Sequence, residues 1–190
     1  RGNPGITVLE HSRNVAEVAG NLTPLLPVAL YRRLERCVLA AAAMHDVGKV
    51  SPGFQLKISA EHAARYAPSL SGEASHNYEG NHARTGASAV WRRLGTPFSP
   101  PSLVDVVAMH HGSVDKRPIP DDRTEFFGGP AWAAEREQLL DELEASYGKA
   151  SPVNLPAALR NCLAGLVTVA DWIGSDESFF PPTGLPTGTD

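Results

Sequence analysis

Cysteine is scarce in this chain of 190 residues: there are two, Cys37 and Cys162. Both fall in predicted helices and are expected as small buried hydrophobes, a usage that fits a reducing cytoplasm. Long apolar runs are missing as well. The longest, Cys37 to Met44, is far short of the roughly 20 residues that span a bilayer, so no membrane partner is expected. Positive charge is not in excess: 17 Lys and Arg against 21 Asp and Glu give a net charge of −4. That is the wrong sign for a protein that grips nucleic acid by charge alone. No glycine-rich phosphate loop of an ATP-driven motor occurs, no charged-then-apolar leader opens the chain, and no strand alternation or internal repeat runs along it. The remaining composition, 42% hydrophobic and 20% charged, is that of one globular domain able to bury its own core. The chain opens on Arg1, and Pro181 to Gly188 reads as a linker. The expected organisation is a domain over residues 1–180 and a tail over 181–190 leading into a longer polypeptide. The unusual count is histidine, of which there are seven.

Hydrophobic periodicity predicts an all-α domain. Val8, His11, Val15 and Val18 outline a first helix, and Pro24 and Pro27 interrupt the chain after it. Leu30, Leu34, Val38, Ala41 and His45 share one stripe of a second helix, stopped at Gly48. Asn81 can cap a third helix that ends near Leu94 before Gly95. A fourth starts at Pro101 and Ser102, with Leu103, Val106 or Val107 and His110 on one face. Gly112 to Pro130 reads as a charged loop. Trp132, Arg136, Leu139, Leu143 and Tyr147 outline a fifth helix, and Leu159, Leu163, Val167 and Asp171 a sixth. Phe54 to Gly80 shows no clear period.

His11, His45 and His110 fall on apolar helix faces, and His82 falls at a helix start. One such histidine is ordinarily a satisfied core residue, but four in one chain need another account. His45 is followed by Asp46 and His110 by His111, so each pair can aim two polar groups into one cavity. Asp171 occupies a position where the stripe calls for a buried apolar residue, and a carboxylate there is costly unless paired or bound to a cation. Five imidazoles and two carboxylates are too many ligands for one cation and suit two that share a bridging carboxylate.

The order His11, His45-Asp46, His82, His110-His111, Asp171 resembles the HD phosphohydrolase superfamily. Four stretches narrow the likeness: HDVGKVSPGFQ at residues 45–55, NHARTGA at 81–87, MHHG at 109–112 and ADWIGSDESFFP at 170–181. Together they resemble the HD nuclease domain of the CRISPR-associated helicase-nuclease of type I systems. The resemblance implies an HD helical bundle with a dimetal site in its core. His11, His45, Asp46 and Asp171 would hold one metal, and Asp46 would bridge to a second held by His82, His110 and His111. It also implies single-stranded DNA as substrate, a helicase in the same or a partner chain, and recruitment to an RNA-guided surveillance complex.

Chemistry constrains the rest. Five imidazoles argue against Mg²⁺ or Ca²⁺, which prefer oxygen shells. They suit Fe, Mn, Co, Ni or Zn, and the resemblance favours the first four. A pocket left positive by two cations would attract a phosphodiester, and a metal-bridging hydroxide, anchored at Asp46, would attack it. Lys49 is either a cation for the transition-state phosphate or a lysine satisfying a helix dipole. Ser175 could contact substrate, support Asp171, or simply end a helix. Arg84, Arg92, Arg93, Lys116, Arg117 and Arg123 could guide a strand or form a solvated face, the commoner role of such charges. Trp172 reads first as core packing and second as a base-stacking platform. His62 reads as a surface residue and His76 as one that could line the cleft. Two further readings stay open: a phosphohydrolase of small or cyclic nucleotides, and a non-catalytic docking domain braced by its metals.

Overall fold

The computed structural model describes residues 5–58, 78–95, 101–112 and 117–182, and these hold eight α-helices and no strand. His62, His76 and Lys116 lie outside them, as does the tail from residue 183.

Helix α1 (Val8–Leu22) starts at a capping box: Thr7 Oγ1 accepts from Glu10 N at 3.1 Å, and the Glu10 carboxylate accepts from Thr7 N at 3.0 Å. Its inner face carries His11, Val15, Ala16, Val18 and Ala19. The predicted second helix is in fact two, α2 (Val28–Leu34) and α3 (Val38–Met44). At the break, Cys37 N donates to Leu34 O at 2.9 Å, the tighter three-residue spacing, and Cys37 leaves helical geometry at φ −122°. The turn separates a helix buried only at Leu34 from one buried nearly all round, where Ala40 to Ala43 admit close neighbours. Helix α3 is central, packing on α1, on α6 (Ser102–Met109), on α7 (Gly129–Tyr147) and on α8 (Ala157–Gly174). Cys37 and Cys162 are free thiols, half-buried rather than buried.

Helix α5 (His82–Leu94) opens on Asn81, whose side chain accepts from Ala83 N at 3.1 Å and Arg84 N at 3.4 Å, and closes on Gly95 at φ 63°. Pro52–Ile58 forms a short helix, α4, at the edge of the stretch without a clear period. Proline at its first position costs nothing, since that N–H has no helical partner. The loop read as charged and solvated also differs. It contains a 3₁₀ turn at Glu125–Phe127 with Phe127 buried, and Asp122 is fully buried against Arg136 of α7. Helices α1 and α8 meet at Gly174, where an added Cβ would lie 2.8 Å from Val15 Cγ2. That contact fixes the end of α8, and with it Asp171, beside α1.

Candidate metal centre

Every one of the seven candidate ligands stands at or near a helix end facing the same space. His11 is in the first turn of α1 and Asp171 in the last of α8. His45 caps the end of α3, Asp46 opens the 3₁₀ turn Val47–Lys49, His82 begins α5, and His110 caps α6 with His111 after it. Adjacent pairs lie where a helix gives way to a turn, so both members can be aimed at one point without the rigid 100° step of a continuing helix.

The atoms fall into two groups sharing Asp46: His11, His45, Asp46 and Asp171 in one, and Asp46, His82, His110 and His111 in the other. Asp46 Oδ2 lies 2.8 Å from His11 Nε2 and 3.2 Å from His45 Nε2. Asp171 Oδ1 is 3.2 Å from His11 Nε2 and 3.4 Å from His45 Nε2. The other oxygen, Asp46 Oδ1, lies 3.1 Å from His82 Nε2 and 3.4 Å from His110 Nε2. His111 Nε2 is 2.8 Å from His82 Nε2.

The imidazoles are oriented from behind. His45 Nδ1 and His110 Nδ1 lie 2.7 Å from Ala42 O and 2.6 Å from Val107 O, so each Nδ1 donates outward and each Nε2 is left facing the centre. Thr168 Oγ1 lies 2.5 Å from His110 O, linking α8 to the end of α6. Sequence reasoning missed this contact; its only signal is that Thr168 stands three residues before Asp171. Ser175 Oγ donates to Asp171 Oδ1 at 3.1 Å.

Electrostatics explain what this donor set wants. His11 Nε2, His45 Nε2, His110 Nε2 and both Asp46 oxygens are buried and make no aligned hydrogen bond despite their closeness. Buried polar atoms are rarely left so, and lone pairs converging without alignment are what cation ligands present. Burial alone would lower the His45 pKa, yet Asp46 and Asp171 outweigh it and push it up to about 9. His11 is raised for the same reason, against the same burial. Burial would raise both carboxyls, but the surrounding imidazoles hold Asp46 and Asp171 well below the usual carboxylate range. Burial, with His110 and His82 nearby, brings His111 down to about 4. The two carboxylates thus favour positive charge on His11 and His45, in the space where a cation would sit. The residues fit divalent ions: two clusters of nitrogen and oxygen donors with one carboxylate oxygen facing each.

The flanking basic residues that are described all make ion pairs with nearby carboxylates. Arg84 pairs with Glu79 at 2.7 Å, and Arg117 with the same carboxylate at 3.1 Å. Arg92 binds Asp122 and Glu137; Arg93 binds Glu137, Asp141 and Glu144; Arg123 pairs with Asp121. Lys49 Nζ contacts Asp46 Oδ2. Trp172 is 69% exposed, so it is not core packing.

Fold and centre together define an all-helical HD-type domain with a candidate two-metal site. Residues 2–180 match the family described as the Cas3 HD domain, and the chain belongs to that family. A crystal structure of a CRISPR-associated protein is similar at 30% identity and TM-score 0.75, over 93% of this chain and 22% of that one. A CRISPR RNA-guided surveillance complex in a pre-nicking state contains a chain similar at 25% identity and TM-score 0.68, over 91% and 23%. The Thermus thermophilus Cas3 HD domain, solved with Ni²⁺, shares the fold at 23% identity and TM-score 0.64, over 98% and 78%. Comparison with curated proteins gives no match. The chain spans about a fifth of the two longer structures. The family assignment bears out the HD resemblance carried by the histidine order. No helix among the described residues is long and apolar enough to cross a membrane.

Proposed function

We propose that this domain is a metal-dependent nuclease that cleaves phosphodiester bonds of single-stranded DNA in CRISPR interference. The carrying observation is the shared carboxylate: Asp46 presents one oxygen to each of two donor groups. His11, His45, Asp46 and Asp171 would hold the inner ion, and Asp46, His82, His110 and His111 the outer. Nitrogen-rich groups of this kind suit Fe, Mn, Co, Ni or Zn and disfavour Mg²⁺, and the family likeness favours the first four. When bound, two divalent ions supply Lewis acidity and activate water near neutral pH.

The chain's own residues do the rest. Ala42 O and Val107 O fix which nitrogen of His45 and His110 faces the centre. Ser175 holds Asp171 in orientation, and its exposure leaves it able to contact substrate as well. Lys49, with its side chain 24% exposed and its ammonium at Asp46 Oδ2, offers a positive charge to a phosphate near that carboxylate. Sustained grip on a strand at net charge −4 would fall to a helicase in the same or a partner chain, joined through the tail beyond residue 180. That partner would be served by an RNA-guided complex like the one in which a similar chain is found.

The test is to incubate Mn²⁺- or Ni²⁺-loaded protein with single-stranded DNA and, separately, with cyclic dinucleotides. Cleavage of DNA, lost in a folded Asp46→Ala variant, is expected. Turnover of the small substrates alone would replace the nuclease with a nucleotide phosphohydrolase. No turnover of either by protein holding two ions would leave a docking domain.

A further inference from the structure

We propose that Phe54 is a positioning residue for the outer metal group, holding the His82 ring toward Asp46 Oδ1; this rests on the two-metal reading above. Phe54 sits half-buried in the first turn of α4. Its ring meets the His82 ring edge-on, with centroids 5.0 Å apart and planes at 74°. The Lys49 ammonium stands over the same ring, 5.7 Å from its centroid. The two neighbours of Phe54 address different atoms of one carboxylate: Lys49 contacts Asp46 Oδ2, and His82 Nε2 lies 3.1 Å from Oδ1. The ring therefore stands as a wall against both. Its negative face attracts the ammonium, and its bulk restricts rotation of the imidazole.

The backbone fixes that wall in place. An added Cβ on Gly53 would lie 2.0 Å from Glu79 O, and one on Gly48 would lie 1.9 Å from His82 O. The chain before α5 is thus laid directly on the turn that runs from Asp46 to α4, with no side chain between them. Gln55 Nε2 donates to Lys49 O at 2.9 Å, and Lys57 Nζ donates to Gly80 O at 2.5 Å. Helix α4 is tied on one side to the residue that follows Gly48 and on the other to the segment that carries His82. Phe54 is the side chain of α4 that reaches a ring of the candidate centre. Among the described residues its ring meets one imidazole of the centre, His82, so its influence on a ligand falls on the outer group.

The experiment is Mn²⁺ titration of the metal-stripped protein, read by calorimetry and by electron paramagnetic resonance. The resonance spectrum separates a lone ion from an exchange-coupled pair. Wild type is expected to take two ions and end in the coupled spectrum. Phe54→Leu is expected to bind the first ion as wild type does, which also reports an intact fold. Its second ion should bind about 10- to 100-fold more weakly, the scale seen when a group orienting a ligand is removed, leaving the lone-ion spectrum at concentrations where wild type is coupled. Phe54→Tyr, which keeps the ring, should restore wild-type behaviour. Phe54→Met, of similar bulk and flexible, carries the same expectation should the leucine variant fail to fold. A second ion bound by a folded Phe54→Leu or Phe54→Met variant at wild-type affinity overturns the inference and leaves the two-metal reading standing. Equal weakening of both ions overturns it too, because Phe54 would then be a packing residue. A wild type that takes no second ion overturns both.

Discussion

Two regions of this molecule bury charge, and they do so to opposite ends. On α7, the fully buried Arg136 donates to Asp122 Oδ1 at 2.8 Å, Asp122 O at 2.9 Å, Val50 O at 2.9 Å and Phe127 O at 3.1 Å. Asp122 accepts in addition from Arg92 at 3.2 Å. Burial raises the Asp122 pKa and lowers that of Arg136, each opposed by the partner's charge. The partners there are fixed side chains and carbonyls. Around Asp46 the distances are as short, yet the buried nitrogens and oxygens are unaligned, and the carboxylates raise the pKa values of His11 and His45. Buried charge does not by itself mark function. Buried charge whose lone pairs converge on shared space does.

The contrast breaks first at its two central carboxylates. Asp46→Ala should abolish metal-dependent cleavage and reduce bound metal from two ions to one or fewer by elemental analysis, while the metal-free variant keeps its helical circular dichroism. Asp122→Ala should do the converse. It leaves the Arg136 guanidinium buried without its carboxylate, a loss of about 3–5 kcal/mol. In a chain of this size that lowers Tm by roughly 10 °C. The folded protein should still bind two ions in the cold. Replacing both partners, Asp122→Leu with Arg136→Met, should recover much of the lost stability, since a satisfied buried pair adds little over well-packed apolar groups. An Asp122→Ala protein that keeps its Tm but loses metal would erase the distinction.

The two regions also differ in how far the sequence announces them. The seven candidate ligands could be picked out because histidine and aspartate on apolar faces contradict the periodicity around them, and the doubled pairs repeat the contradiction. Arg136 sits on just such a stripe, but its partner Asp122 stands in a run, Asp121 to Arg123, that reads as a solvated loop. Nothing local distinguishes the buried carboxylate from the exposed one before it. The ion pairs of Arg92 and Arg93 are hidden for the same reason: their carboxylates lie on α7, more than 40 residues away and beyond the reach of periodicity. The break at Glu35 to Cys37 is invisible because no glycine or proline marks it. Trp172 follows a half-buried aspartate and faces outward, since adjacent helical residues point about 100° apart.

A third difference is pH. Arginine and carboxylate pairs do not titrate between pH 6.5 and 9, but the histidine centre does. Without metal, the His45 pKa stands at about 9 against an ordinary 6.5. The stability this shift supplies is whole below pH 6.5 and disappears as pH climbs through 9. Metal-stripped protein should therefore lose roughly 1–3 kcal/mol across that window, several degrees of Tm. Protein loaded with Ni²⁺ should not, because the ion replaces the protons, and metal affinity should rise over the same range. Equal slopes with and without metal would show that His45 does not carry a proton in the empty centre.

The smallest expected effect probes how the centre is supported at its open edge. Ser175 Oγ donates to Asp171 Oδ1, the oxygen that faces His11 and His45, and this hydroxyl is the one described side-chain donor outside the histidines on that carboxylate. Ser175→Ala removes one hydrogen bond from an exposed position and leaves no buried group unpaired. The fold should be unchanged, with Tm within a degree or two. Loss of a group that orients a ligand weakens metal binding by about tenfold at the lower end of the usual range. That loss should appear in the inner ion alone, the mirror image of the Phe54→Leu result. If Ser175 also touches the strand, KM for single-stranded DNA should rise at saturating metal; if it only steadies Asp171, saturating metal should restore wild-type kinetics. Ser175→Thr, which keeps the hydroxyl, should retain metal affinity in either case.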